Sequence, residues 1–179
     1  MALSKIINGG VAASGIPSGG IIQVQHTQFT GTNTITLSSG TDTPLTDLTV
    51  NITPTSTTSI IHLQAHIFCE HGEDDTNNYN HVFFFYRDTT KLGQAAAGTR
   101  NVGVSMATRV GYVEDDAATP EITRYDYFDT PSSTSQITYK CGLRTRVGQD
   151  FAINRTISDI DANYNERGIS FISATEIAG

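Results

Sequence analysis

Five histidines, two cysteines and two acidic clusters are the residues of this chain best suited to chemistry. His62 and His66 lie four apart in a segment whose hydrophobicity has period two. That spacing puts both on one face of a strand. Four residues of strand span about 13 Å, too far for one ion to take both rings. In a trimer, three copies of one histidine can meet on the axis, but hydrogen-bonded or exposed sheet histidines are the default. His26, His71 and His81 show no ligand spacing either. Glu70-His71-Gly72-Glu73-Asp74-Asp75 and Glu114-Asp115-Asp116, with Glu121 nearby, bunch hard oxygen donors of the kind Ca²⁺ takes. Neither has the spacing of a calcium-binding helix-loop-helix, so both read as solvated loops. Asp159 and Asp161 read the same way. No metal ligand is assigned.

Cys69 and Cys141 fall inside apolar strand-like runs and are expected to be buried, reduced thiols. They lack CxxC spacing and cannot make a zinc site unaided. No GxSxG is present, and no serine or cysteine has a histidine close by that suggests a nucleophile–base pair. There is no phosphate loop and no GxGxxG. Paired carboxylates abound in any acidic chain, so they decide nothing about glycoside cleavage. The expectation is no catalytic residue, no cofactor and no enzymatic activity. Tyr79, Tyr112, Tyr125, Tyr127 and Tyr164 sit beside polar residues, several of them Asn or Asp. Such rings can stack on sugars, although packing is the commoner role of tyrosine at strand spacing.

The elements that must position these residues are strands. Charged residues make up only 16% of the chain and apolar residues 37%, the remainder being rich in Thr, Ser, Asn and Gly. Thr suits a half-buried pleated surface, and Gly, Ser and Asn suit turns. Period-two stripes occur at residues 22–29, 32–37, 48–52, 61–69, 102–106, 137–143 and 151–153, with further short runs at 110–113, 125–128 and 169–172. No stretch of ten residues has helical period. Nine or ten strands with polar turns between them predict an all-β antiparallel sandwich or a closed barrel. The segment HVFFFYR, His81–Arg87, is apolar on both faces: Val82, Phe84 and Tyr86 on one, Phe83 and Phe85 on the other. A strand of this kind lies between two layers or at a subunit interface. Phe83 and Phe85 are the expected pair at a trimer seam, with Phe84 in the core and the opposite assignment of faces left open.

Residues 1–20 differ from the rest. Glycines interrupt them, Lys5 is their sole charge, and Leu3, Ile6, Ile7, Val11 and Ile16 are spaced aliphatics. They read as an arm that orders against a partner, followed by a β domain over 21–179. The net charge of −7 and the lack of a Lys/Arg cluster argue against nucleic acid as a partner. No apolar run approaches the roughly 20 residues of a membrane helix. Ile6-Ile7 falls short of a signal-peptide core, so synthesis and assembly in a cytoplasm are expected.

Several phrases carry a resemblance. They are GGIIQVQHTQF from Gly19, Leu45-Thr-Asp-Leu-Thr-Val-Asn-Ile-Thr-Pro54, the following Ser-Thr-Thr-Ser-Ile-Ile-His-Leu63, Tyr127-Phe128-Asp129-Thr-Pro131, and the closing Ala174-Thr-Glu-Ile-Ala-Gly179. In these the chain resembles small virion structural or tail-fibre-like knob proteins of phages that infect marine and freshwater bacteria, cyanophages included. The resemblance implies a jelly-roll homotrimer of the tumour-necrosis-factor type, assembled in the host cytoplasm and resident in the virion. It implies a capsid decoration, knob or tail-fibre component that docks on other virion proteins through Leu3, Ile6, Ile7, Val11 and Ile16. The alternative is a lectin-like fibre tip that binds a host surface glycan.

Overall fold

In the computed structural model, residues 15–72, 81–106 and 118–179 are described. They form ten strands and no helix. The strands are β1 (Ile21–Phe29), β2 (Asn33–Leu37), β3 (Asp42–Ile52), β4 (Ile60–His71), β5 (His81–Arg87), β6 (Thr90–Leu92), β7 (Glu121–Asp129), β8 (Ile137–Thr145), β9 (Gln149–Ile153) and β10 (Ser170–Ile177). One sheet runs β1-β10-β4-β9-β2 with β7 on the other edge of β4; the second runs β3-β8-β5-β6. All the pairings are antiparallel. The result is a jelly-roll-like β-sandwich, the first of the two all-β architectures, sandwich or closed barrel, that the period-two stripes allow. Residues 102–106 do not form a strand of the sheet. They lie against β5 through a single bridge, with Phe83 N–H donating to Ser105 at 2.7 Å and Val104 N–H to Phe83 at 2.7 Å. The stripe at 110–113 falls outside the described residues.

The core fills the space between the sheets. Ile61, Leu63, Ala65, Ile67 and Cys69 face inward from β4, as their alternation requires. Phe83 and Phe85 meet them from β5, with Tyr139, Cys141 and Leu143 from β8. This corrects the expectation for HVFFFYR. Phe83 and Phe85 are wholly buried within the single chain and are not available to a seam. Phe84 points to the other face, yet it too is wholly buried. The chain supplies its cover: Phe84 sits opposite Gly142 of β8, edge-on to Tyr86, with the Lys91 ammonium 3.9 Å over its ring. Gly142 is required there, because a Cβ would lie 2.7 Å from both the Phe84 and Tyr86 rings. The cation–π contact and the ring burial together satisfy the second apolar face.

β4 changes partner part-way along one edge. It pairs with β10 over Ile60 to His66 and with β9 over Cys69 to His71. Phe68 sits at the handover, where regular pairing stops. Ser170 Oγ accepts from Phe68 N–H at 3.0 Å, and Phe68 C=O accepts from Asn154 N–H at 2.9 Å. Asn154, at φ 61°, donates its amide to the carbonyls of Phe29 and Gly31 and accepts from Ser170. A left-handed backbone suits Asn better than most residues. The side chain is fully buried.

At the opposite end, the buried Glu176 ties β10 to β1 and to the turn after β3. Its carboxylate accepts from Thr55 N–H, Thr55 Oγ1, Ser59 Oγ and Gln23 Nε2 at 2.6–2.7 Å. Burial alone pushes this acid up, but the hydrogen bonds from Ser59, Gln23 and Thr55 outweigh it and hold it below its ordinary range. A depressed acid stabilises the fold above its unfolded value of about 4.3. That contribution is lost as pH falls through the lower folded value. Glu176→Gln is therefore expected to destabilise the protein most near neutrality, with the gap to the native chain narrowing in acid. Denaturant midpoints measured across this range check it; a gap independent of pH would refute it.

Candidate functional site

Two places stand out, one on the outer face of the six-stranded sheet and one inside the opposite end of the sandwich. The ladder registers line up the outer face in rows. Val24, Thr175, His62 and Phe128 form one row across β1, β10, β4 and β7; Gln28, Phe171, His66 and Arg124 form another. His26, Ser173, Gln64 and Asp126 lie between them. The His62 ring lies flat on Phe128, with centroids 4.2 Å apart and planes within 9°. His66 stacks on Phe171 at 5.4 Å, and Arg124 Nε donates to His66 Nδ1 at 2.9 Å. Burial and the neighbouring Arg124 charge lower the His66 pKa, in keeping with a neutral ring that accepts. Val24, Ile122, Phe128 and Phe171 are 54%, 41%, 57% and 38% exposed. Apolar side chains thus stand exposed among the polar residues of this face, with an adjoining hollow of about 350 Å³ beside Gln64, His66, Arg124, Asp126 and Phe171.

The interior site lies where β4 and β7 run out. Cys69 and His71 face inward two apart on β4, and Glu121 of β7 stands directly opposite Cys69. His81 enters from the facing sheet. The two imidazoles stack at 3.6 Å, walled edge-on by Phe83 and with Phe151 against His71. Glu121 Oε2 lies 2.9 Å from His71 Nδ1 and 3.9 Å from His81 Nε2. One donor atom each from Cys69, His71 and Glu121 fall within 4.8 Å of one another. His71 Nε2, Thr145 Oγ1 and both amide atoms of Gln149 are buried there without a hydrogen-bond partner among the described residues. A buried polar atom left unpaired costs about 1–3 kcal/mol. On the other face of β4, Glu70 accepts from the backbone N–H groups of Thr119 and Ile157 at 2.6 Å each.

The structure places the residues singled out from sequence as follows. His62 and His66 do share one face, the exposed one. Glu70 and Glu121, read as part of solvated loops, are buried and bonded. Glu73, Asp74, Asp75 and Glu114, Asp115, Asp116 lie outside the described residues, as do Tyr79 and Tyr112. Tyr125 is a core residue whose hydroxyl donates to the Phe84 carbonyl at 3.2 Å. Tyr127 packs partly buried against the core, and Tyr164 is exposed. Of the arm residues, Leu3, Ile6, Ile7 and Val11 lie outside the described residues. Ile16 is half-buried beside Ile22 and Ala178, where Gly19 and Gly20 bond to Ala178.

Both cysteines are free and buried. Burial, then the nearby Glu121 and Glu70 charges, push the Cys69 thiol well up. Burial pushes Cys141 up to about 12.

No family model matches the chain, and no curated protein sequence matches it. Among solved structures, the crystal structure of the infectious bursal disease virus VP2 subviral particle is similar, at 13% identity and a TM-score of 0.38, over 87% of this chain. The chain spans 41% of that VP2 chain.

Both thiols are expected to resist a thiol-titrating reagent in the native protein and to react fully in denaturant. Rapid native reaction of either would contradict their burial.

Proposed function

We propose that this chain is a structural component of a bacteriophage virion, a trimeric appendage that associates through the outer face of its six-stranded sheet and is anchored by its N-terminal arm. The observation that carries the reading is the pair of exposed phenylalanines, Phe128 stacked on His62 and Phe171 on His66, with the exposed Val24 beside them. Apolar rings stacked in ordered pairs on an open sheet face are the material of a subunit contact. The phrases of sequence resembling phage knob proteins supply the virion context and the threefold state. The phenylalanines of β5, buried within one chain, have no part in the contact.

The hollow beside Phe171, His66, Arg124 and Asp126 favours a second reading, in which this face binds a host surface glycan. A ring flanked by an acid, a guanidinium and the Gln64 amide can stack on a sugar and bond its hydroxyls. Mass measurement of the soluble protein separates the two readings. The first expects a trimer at micromolar concentration, converted to a folded monomer by Phe128→Ser combined with Phe171→Ser. A stable native monomer that binds a glycan array through Phe171 would favour the second and refute the first.

The arm is tested separately. Removal of residues 1–14 is expected to leave the sandwich folded and to abolish incorporation into particles. Normal occupancy of the truncated chain on virions would place docking in the β domain.

A further inference from the structure

The interior end of the sandwich has the composition of a closed metal centre. We propose that Cys69, His71 and Glu121, completed by His81 from the facing sheet, bind a divalent transition-metal ion of the zinc type as a structural site. The donors are those zinc takes: a thiolate, imidazole nitrogen and a carboxylate oxygen. They converge from both sheets: β4 supplies Cys69 and His71, β7 supplies Glu121 and β5 supplies His81. The first three already offer donor atoms within 4.8 Å of one another, and His81 Nε2 lies 3.9 Å from the Glu121 oxygen. Metal–ligand bonds of about 2.0–2.3 Å set tetrahedral donor separations of roughly 3.3–3.8 Å. The His81 ring lies stacked on His71, so completing the set requires His81 to turn out of that stack toward the other three donors. All four side chains are buried.

Charge argues in the same direction. A thiolate and a carboxylate cancel the two positive charges of the ion, and the two imidazoles stay neutral, so the occupied centre is uncharged in an apolar interior. The orphaned atoms argue independently. A metal-binding imidazole usually donates its other N–H to a nearby acceptor. Thr145 is the ladder partner of His81, and Thr145 Oγ1 and Gln149 Oε1 are buried acceptors at this end without partners among the described residues. His71 Nε2 is likewise without a partner. These groups are what an outer shell around two ligating histidines requires, and a purely apolar sandwich has no use for them. Four protein ligands leave no open position, so the ion is structural and joins the two sheets where β4 and β7 end.

The test uses the untagged full chain, refolded from denaturant with and without Zn²⁺ and separately with Co²⁺. About one tightly held zinc per chain is expected by elemental analysis, with a thiolate-to-cobalt charge-transfer band in the Co²⁺ form. That band separates this centre from weak uptake by the exposed His62 and His66, which have no thiolate beside them. Cys69→Ser, which preserves volume, should abolish the band, and Glu121→Gln should weaken Zn²⁺ binding at least tenfold. Cys141→Ser, at the other thiol, should leave the band in place. A native chain that refolds without taking up metal and gives no charge-transfer band overturns the proposal, as does a Cys69→Ser protein that still holds zinc as tightly. Should Cys69→Ser fail to fold, retention of the band in Glu121→Gln at unchanged affinity overturns it equally.

Discussion

The pairing of β4 with β7 is the constraint on which both candidate sites depend. It runs unbroken from Ile61 opposite Asp129 to Cys69 opposite Glu121. Because side chains alternate, this one register assigns every residue of two strands to a face. Outward, it sets His62 on Phe128 and His66 beside Arg124. Inward, it aligns Ile61, Leu63, Ala65 and Ile67 with the core and ends on Cys69 and Glu121. A slip of one residue would bury the histidines and expose the aliphatics. The burial of the aliphatic stripe thus fixes the exposed ladder and the interior donor set together.

Much of this frame is readable in the sequence. The stripe from Ile61 to Cys69 and the double apolarity of HVFFFYR report real strands with real faces. What covers the second face of β5 is not readable, for a physical reason. The cover of Phe84 is a missing side chain at Gly142, a lysine stem from a three-residue strand and a neighbouring tyrosine. None of these has a periodic signature. A seam between subunits and an internal cover place the same demand on the strand itself, so the strand cannot tell them apart. The exposed aromatics were harder still to single out. Phe128 and Phe171 belong to strands with ordinary alternation, and only the register places them on the outer face with a histidine beneath each.

The interior site was hidden for a related reason. Cys69 and His71 are two apart, a spacing that puts both on one face of a strand, but their third partner, Glu121, comes from a distant segment. Ladder pairing alone brings it opposite Cys69. His81 arrives from the other sheet altogether. A search for short ligand motifs finds donors on one element and misses a set gathered from three. The one signal in the sequence was the placing of Cys69 and His71 at alternate positions at the end of an apolar stripe. Polar residues there continue the inward face, whereas a solvated loop would leave the alternation.

The fate of the acidic residues follows the same logic. The net charge suggests a uniformly acidic surface, yet Glu70, Glu121, Asp129 and Glu176 are buried among the described residues. Each closes a different junction. Glu176 gathers the turn after β3, and Glu70 takes the N–H groups of Thr119 and Ile157. Asp129 accepts from Arg87 and from the Tyr139 hydroxyl. Glu121 meets the two imidazoles. A sandwich whose connections are rich in Thr, Ser and Asn has many loop donors to satisfy where its loops fold back on the core. A carboxylate accepts several of them at once, and more strongly than a neutral carbonyl. The other three junctions are closed by backbone N–H groups, hydroxyls, a side-chain amide or a guanidinium. The Glu121 junction differs in kind. Around it stand two imidazoles and a thiol, groups that carry lone pairs as well as protons. Lone pairs on those groups are what would let this junction, unlike the other three, also ligate the cation proposed above.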